Sequence, residues 1–131
     1  MPPIIESAGD LLARYRVLFC DIWGVVHNGQ TAYREGCAAL AEFRARGGTV
    51  VLVSNAPRTP RAVTRVLAEK GVPEDSWDAI VSSGGIALEH AHEKNYRTVH
   101  HIGPDRDLDI LDETHLERVM IEEADAILCT G

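Results

Sequence analysis

Short apolar runs and helix-period segments alternate along the whole chain. Five runs have the length of strands, the fourth interrupted by two histidines, at 17–20, 49–53, 79–81, 98–102 and 126–129. Runs that are apolar throughout, instead of alternating with polar residues, are typical of strands buried on both faces of a parallel sheet. The pattern therefore predicts parallel strands that are covered on both faces.

Segments with a helical period separate these runs. They lie at residues 4–14, 34–46, 60–71 and 85–94, and glycines end the second and third of them. Thr59 precedes Pro60, which predicts a helix N-cap followed by a first-turn proline. Alternating strands and helices predict an α/β fold, with a mostly parallel sheet, flanking helices and right-handed crossovers.

The composition is that of one ordinary globular domain. The 131 residues are 45% hydrophobic and 25% charged, and no apolar run approaches the ~20 residues of a membrane-spanning helix. We therefore predict a single domain over residues 1–131 without a membrane partner. Three cysteines are too few and too odd in number for a disulfide framework, which favours a cytoplasmic location.

The net charge of −7 is concentrated in one segment. Nine acidic residues and two arginines lie between residues 105 and 131, whereas residues 1–104 carry balanced charges. A nucleic-acid surface needs a basic patch or stripe, and the sequence has none. No DNA or RNA partner is expected.

Polar residues follow the first three apolar runs, at the point where each predicted strand ends. They are Asp21, Ser54 with Asn55, and Ser82 with Ser83. Ligands of open parallel sheets bind beyond the carboxyl ends of the strands, so we expect Asp21, Ser54 and Ser83 to converge. A carboxylate there needs a metal or amide donors, yet an aspartate that only caps the following turn would look the same in sequence.

Two of these strand ends resemble motifs of the haloacid dehalogenase superfamily. The segment 21–29, Asp-Ile-Trp-Gly-Val-Val-His-Asn-Gly, looks like the first motif, and 51–55, Val-Leu-Val-Ser-Asn, resembles the second. The strand end at Ser82 and the motif spacing are similar to the class IIA branch, which includes NagD-like proteins and p-nitrophenylphosphatases. The resemblance implies the first half of a Rossmann-like core, with the cap and the C-terminal half outside these 131 residues.

The family's chemistry, carried over residue by residue, implies a phosphatase that acts on a small phosphorylated metabolite. Asp21 would be the nucleophile that forms an aspartyl phosphate, while Ser54 and Asn55 would bind the phosphoryl group. Mg²⁺ would be held by Asp21 and by the main-chain carbonyl of Trp23. Arg58 lies near the second strand end and either meets an anionic substrate or decorates a solvated surface.

Trp23 departs from the family pattern, which has a second aspartate at this position. That aspartate acts as the general acid and base, and an indole N–H does not titrate near neutrality. One alternative is therefore a catalytically silent protein that binds a phosphorylated ligand or a partner. Another is dehalogenase-like chemistry, which also lacks the second aspartate, although the class IIA spacing argues against it.

The resemblance also implies that the family's lysine and late acidic metal motif follow the cap. We therefore expect these 131 residues alone to have no useful phosphatase turnover. The sequence is compatible with a homodimer.

The histidines offer fewer candidates. His27, on the loop after Asp21, is either a replacement acid or base or a solvent-facing loop residue. His90 and His92 are two apart on a predicted helix, and His100 and His101 are adjacent on a predicted strand, so neither pair shares a face. These four histidines are therefore not expected to bind a metal.

Overall fold

The computed structural model describes Ile4 and residues 8–131. The chain divides into two compact units. The first takes in the chain up to Val53 with Val66–Ile80, and the second takes in Ser54–Arg65 with Val81–Gly131.

The five predicted strands and the helices between them occur in the predicted order. The helices are α1 Gly9–Leu12, α2 Arg34–Ala45, α3 Pro60–Glu69 and α4 Ser83–Glu93, and the strands are β1 Val17–Asp21, β2 Thr49–Ser54, β3 Ala79–Ser82, β4 Thr98–Ile102, β5 Glu117–Arg118 and β6 Ala126–Cys129. Three 3₁₀ helices complete the described elements, at Glu74–Ser76, Asp105–Glu113 and Ile121–Glu123. Of the leading helix predicted at 4–14, residues 5–7 lie outside the described residues, and only α1 is helical within the rest. No helix in the described part of the chain has both the length and the apolar content to cross a bilayer.

The first sheet has the strand order β1-β2-β3. β1 and β2 are parallel and in full register, from Val17 opposite Thr49 to Asp21 opposite Val53. Thr59 caps α3 as predicted, because its hydroxyl accepts a hydrogen bond from the Ala62 amide at 3.1 Å. The α/β class with a mostly parallel sheet is therefore confirmed.

The prediction that the strands are buried on both faces is wrong for β1. Cys20 is buried, and Val50 and Leu52 on β2 are fully buried, whereas Phe19 keeps 72% of its surface exposed. Burial alternates along the strand, so only one side of β1 is covered within the described chain. The apolar run gave no sign of this, because residue type alone does not tell how many layers cover a sheet.

The second unit contains a separate sheet with the order β5-β4-β6, in which both pairings are parallel. The sequence analysis anticipated β4 and β6 but placed them in one sheet with the others. It missed β5, because Glu117 and Arg118 are charged, exposed residues without an apolar pattern. Val99 and Ile110 are part of the buried core of this unit.

An aspartate at the start of a strand recurs in both sheets. The carboxylate of Asp78, next to β3, accepts the Val50 amide at 2.7 Å and pairs with Arg44. The carboxylate of Asp125, next to β6, accepts the amides of Arg97 and Thr98 at 2.7 and 3.0 Å. Each aspartate follows a 3₁₀ helix and precedes an Ala-Ile pair. The two sheets therefore start from the same local arrangement.

These two aspartates predict a loss of stability in acid. The guanidinium of Arg44 holds the pKa of Asp78 below its ordinary value, and two backbone amides do the same for the pKa of Asp125. A carboxyl group whose pKa is lower in the folded state stabilises the fold above its unfolded pKa, and this contribution is lost as the pH falls through the folded pKa. We expect the melting temperature to fall below about pH 4.

The measurement is thermal unfolding between pH 3 and pH 6, compared with the double variant Asp78→Asn, Asp125→Asn. The double variant should have a lower melting temperature at pH 6 and a weaker pH dependence. Asp112→Asn is the matched control, because Asp112 is exposed and its side chain makes no hydrogen bond or ion pair with a described residue. An unchanged acid slope in the double variant would contradict this account.

Candidate functional site

Asp21 is the last residue of β1 and is exposed to solvent. Its Oδ1 accepts the backbone N–H of Ile22 at 2.7 Å, while its Oδ2 has no partner among the described residues. The neighbouring Cys20 lies on the opposite, buried side, and burial raises the pKa of its thiol. Cys20 is therefore a core residue, and Asp21 presents one free carboxylate oxygen at the carboxyl end of its strand.

A tight loop follows Asp21 and fixes the backbone beside it. The Val26 amide donates to the Ile22 carbonyl at 2.8 Å, and the Gly24 amide donates to the His27 carbonyl at 2.8 Å. Gly24 has φ +79°, a left-handed conformation that favours glycine. Ile22 is 4% exposed and Val26 is 1% exposed, so the loop is anchored in the core of the first unit.

His27 belongs to this anchor and not to the surface, so the solvent-facing interpretation is wrong. Only 5% of its surface is exposed, and its Nδ1 accepts the Gly29 amide at 2.9 Å. Burial, together with the charge of Lys70, lowers the pKa of His27. Nδ1 must be unprotonated to accept this bond, so the ring positions the loop as a neutral imidazole.

Trp23 stands on the outer side of the loop. It is 71% exposed, and its indole N–H makes no hydrogen bond with a described residue. A Cβ on Gly29 would lie 3.4 Å from the indole Nε1, so one edge of the ring rests beside that glycine. The Trp23 carbonyl also accepts no hydrogen bond from a described residue and is free to bind a cation. The sequence identified this residue, and the structure shows that its ring is not a core anchor.

Ser54, the last residue of β2, lies in the second unit together with Asn55 and Arg58, which follow the strand. The Ser54 hydroxyl oxygen accepts the Ala56 amide at 3.1 Å, which leaves the hydroxyl proton available for donation. Asn55 is exposed. The guanidinium of Arg58 already has an acidic neighbour, Asp109, at 3.4 Å.

The end of β3 meets this loop through Ser82, not through Ser83. The Ser82 hydroxyl donates to the Arg58 carbonyl at 2.6 Å and accepts the Gly85 amide at 3.2 Å, so it caps α4 and holds the loop at once. The Gly84 amide donates to the Ala56 carbonyl at 3.2 Å. The ends of β2 and β3 are therefore brought together in the second unit. That Asp21 joins them stays a prediction.

The sequence analysis missed the partners that hold this loop. Glu113 accepts the Thr59 hydroxyl at 2.7 Å and pairs with Arg65 at 3.2 Å. Both Glu113 and Asp109 belong to the 3₁₀ helix Asp105–Glu113, about fifty residues away in sequence. The concentration of acidic residues after position 105 indicated that this segment could pair with basic residues. Nothing in the sequence showed which arginines those would be.

A divalent cation fits the oxygen atoms beside Asp21 in a limited way. No cluster of three or more His, Cys, Asp or Glu residues with the geometry of a metal site occurs in the described part of the chain. The Asp21 carboxylate and the Trp23 carbonyl nevertheless offer unused lone pairs on hard oxygen atoms. Mg²⁺ is commonly bound by one or two carboxylates together with water and substrate phosphates, so these two donors fit it.

Comparison with known proteins decides the family. The sequence pattern of haloacid dehalogenase-like hydrolases matches residues 18–117. The chain belongs to this family. A haloacid dehalogenase-like hydrolase from Brucella suis 1330 is 41% identical with a TM-score of 0.83, over 98% of this chain and 49% of that chain. No curated protein matches the sequence.

Solved phosphatases of the haloacid dehalogenase-like fold are also similar. A p-nitrophenyl phosphatase from Archaeoglobus fulgidus is 26% identical with a TM-score of 0.67, over 86% of this chain and 43% of that chain. A glycerol phosphate phosphatase from Mycobacterium tuberculosis, solved in complex with calcium, shares the fold at 19% identity, with a TM-score of 0.63 over 92% of this chain and 36% of that chain. The class IIA resemblance is confirmed, and the chain spans less than half the length of each of these three relatives.

Proposed function

We propose that the protein is a phosphatase-family hydrolase that acts on a small phosphorylated metabolite through a phosphoryl group carried by Asp21. The observation that supports it most is the exposed Asp21 carboxylate, with one free oxygen, at the carboxyl end of β1 in a chain of this family. Several solved relatives are described as phosphatases. The substrate class and the site residues are part of the proposal.

In the first step, Asp21 Oδ2 attacks phosphorus and the bond from phosphorus to the ester oxygen breaks. The leaving oxygen takes the bonding electron pair and a proton from water, because Trp23 has no proton to give near neutrality. In the second step, water attacks the aspartyl phosphate and releases inorganic phosphate. Carboxylate nucleophiles of this kind divide one difficult displacement into two easier ones.

The remaining candidate residues would bind and orient the phosphoryl group. The Ser54 hydroxyl oxygen accepts the Ala56 amide, which leaves its proton free. Ser54 donates this proton to a phosphoryl oxygen. Asn55 adds its exposed amide side chain. The guanidinium of Arg58 offers two parallel N–H donors that suit a phosphate. To bind there, the phosphoryl group must displace Asp109 from the guanidinium.

A bound Mg²⁺ would supply charge neutralisation at the phosphoryl oxygens. The Trp23 carbonyl and Asp21 Oδ1 would hold it, because Oδ1 keeps a second lone pair beside the Ile22 N–H, and Oδ2 then stays free to attack phosphorus. We also propose a cytoplasmic protein with no nucleic-acid or membrane partner; a homodimer remains to be tested.

A second candidate function is a catalytically silent protein that binds a phosphorylated ligand. Trp23 favours it, because this residue replaces the family's acid and base. His27 does not restore that role, because its Nδ1 is occupied by Gly29 and the ring is buried. The two candidates differ in whether Asp21 ever becomes phosphorylated.

The test is phosphorylation of Asp21 in the 131-residue chain. Incubation with Mg²⁺ and a reactive phosphodonor such as acetyl phosphate should add one phosphoryl group, located at Asp21 by peptide mass spectrometry and removed by hydroxylamine. Asp21→Asn should abolish the modification, because an amide is not a nucleophile here, while the exposed Asp10→Asn should keep it. A folded wild-type chain that stays unmodified would favour the silent protein.

A further inference from the structure

The side chain at position 23 shares a side of the backbone with the candidate nucleophile. Asp21 is exposed, Ile22 is 4% exposed and Trp23 is 71% exposed. The alternation of exposed and buried side chains along β1 continues through Trp23, so Ile22 faces the core while Asp21 and Trp23 both lie on the solvent side.

Several exposed side chains on this side of the first unit are apolar. Phe19, two residues before Asp21, is 72% exposed, and Val53, opposite Asp21 in register, is 38% exposed. Val25, beyond Trp23 on the loop, is 49% exposed. The carboxylate is therefore framed by exposed apolar side chains.

The loop presents the indole ring in a fixed place. Trp23 lies between the buried Ile22 and Gly24, whose amide is bonded to the His27 carbonyl. The indole edge rests beside Gly29, whose own amide is held by His27 Nδ1. A ring on a rigid backbone loses little conformational entropy when a ligand covers it, because tryptophan has only two side-chain torsions.

Packing within the chain does not explain this exposure. A tryptophan is normally mostly buried, and leaving it in water forgoes a large favourable transfer free energy. Its indole N–H is also unused by the described residues. A ligand that brings a planar, apolar group next to Asp21 would cover the indole ring, and the burial of this apolar surface would strengthen binding.

We propose that Trp23 selects phosphate monoesters whose leaving group is aromatic or otherwise planar and apolar, by stacking on that group while the phosphoryl group meets Asp21. This inference rests on the proposed function. Trp23 acts through its side chain as a specificity-determining residue, which is independent of the cation-binding role proposed for its main-chain carbonyl.

Two non-hydrolysable ligands with one headgroup test the inference. Phenylphosphonate and methylphosphonate differ by the ring, so their affinities for the 131-residue chain with Mg²⁺, measured by calorimetry, isolate its contribution. Aromatic pairing predicts that phenylphosphonate binds about 2- to 12-fold more tightly. Trp23→Ala should reduce this ratio to about one, and Trp23→Phe should keep most of it.

Fluorescence locates the contact. Trp77 is the second tryptophan, and its buried indole nitrogen has no hydrogen-bond partner among the described residues, so Trp77→Phe costs no hydrogen bond and leaves Trp23 as the sole indole. Phenylphosphonate should change the Trp23 emission and methylphosphonate should not. Tyr15→Ala, which removes another exposed aromatic ring of the first unit, is the matched control and should leave the affinity ratio intact.

The outcomes separate the inference from the proposed function. Equal affinities, or a ratio that survives Trp23→Ala, would overturn the inference even if Asp21 is phosphorylated by acetyl phosphate. A Trp23-dependent ratio in a chain whose Asp21 is never phosphorylated would support ring recognition and refute the phosphatase. Absence of both phosphorylation and ring preference would overturn both.

Discussion

Trp23→Asp is expected to speed the loss of the phosphoryl group from Asp21 by about 10²- to 10⁴-fold, the usual contribution of a positioned general base. An aspartate two residues after the nucleophile can accept a proton from the attacking water, whereas the indole ring cannot. The wild-type aspartyl phosphate should therefore persist. The backbone of the loop, held by Ile22 and His27, does not depend on the exposed ring.

The measurement is a single-turnover decay. Asp21 is phosphorylated with acetyl phosphate, the donor is removed, and the remaining phosphorylated chain is followed by mass spectrometry in the wild type and in Trp23→Asp. Trp23→Asn is the matched control, because an amide has nearly the same shape and does not titrate. Melting temperatures measured alongside verify that each variant is folded.

Equal decay in a folded Trp23→Asp variant and in the wild type would show that the missing carboxylate is not the limiting group. The silent ligand-binding protein would then be the better description. The same variant should lose the preference for phenylphosphonate, because the ring is gone. A gain in decay rate with a loss of ring preference would thus assign two separate properties to one position.

Gly84→Ala is expected to destabilise the fold, against the usual trend for glycine in a helix. Alanine normally stabilises a helical position by about 1 kcal/mol relative to glycine. At Gly84, however, a Cβ would lie 2.4 Å from the Arg58 amide nitrogen and 2.7 Å from the Arg58 carbonyl oxygen. These are backbone atoms, so the loop itself must move, at a cost of about 1–3 kcal/mol.

Urea unfolding of Gly84→Ala and of the exposed α4 control Glu89→Ala tests this expectation. The control should lie within about 0.5 kcal/mol of the wild type. Because the Ser82 hydroxyl and the Gly84 amide both bind this loop, Gly84→Ala should also weaken phosphonate binding if Arg58 contributes to it. A stabilised Gly84→Ala chain would show that the close approach is not required.

Local patterns predicted the strand ends and caps well. The apolar run before Asp21 and the polar Thr59 before Pro60 were sufficient, because each reports a nearest-neighbour preference that the fold keeps. His27 was misjudged for the opposite reason. Its burial depends on a loop that folds back so that Gly29 donates to its ring, and no local periodicity encodes that.

Long-range pairing explains the other differences. Arg58 is next to Asp109, 51 positions away, and Thr59 is next to Glu113, 54 positions away. The exposure of Phe19 likewise depends on which elements cover that face of the sheet, and the apolar residues next to Phe19 in sequence do not determine this. The Asp21 side chain could thus be placed from the sequence, while the environment of Arg58 could not.

The recurring strand-start aspartates have a consequence for the folding of the chain. Asp78 and Val50 are 28 residues apart, and so are Asp125 and Arg97. Closing a flexible loop of this length costs about 3 kcal/mol of chain entropy plus a constant. The crossover from β2 to β3 and the crossover from β4 to β6 therefore lose the same chain entropy when they close. In each crossover, an aspartate before the later strand hydrogen-bonds the backbone near the start of the earlier strand. Loop length therefore favours neither sheet, and any difference in their rates of formation is set by the residues inside each crossover.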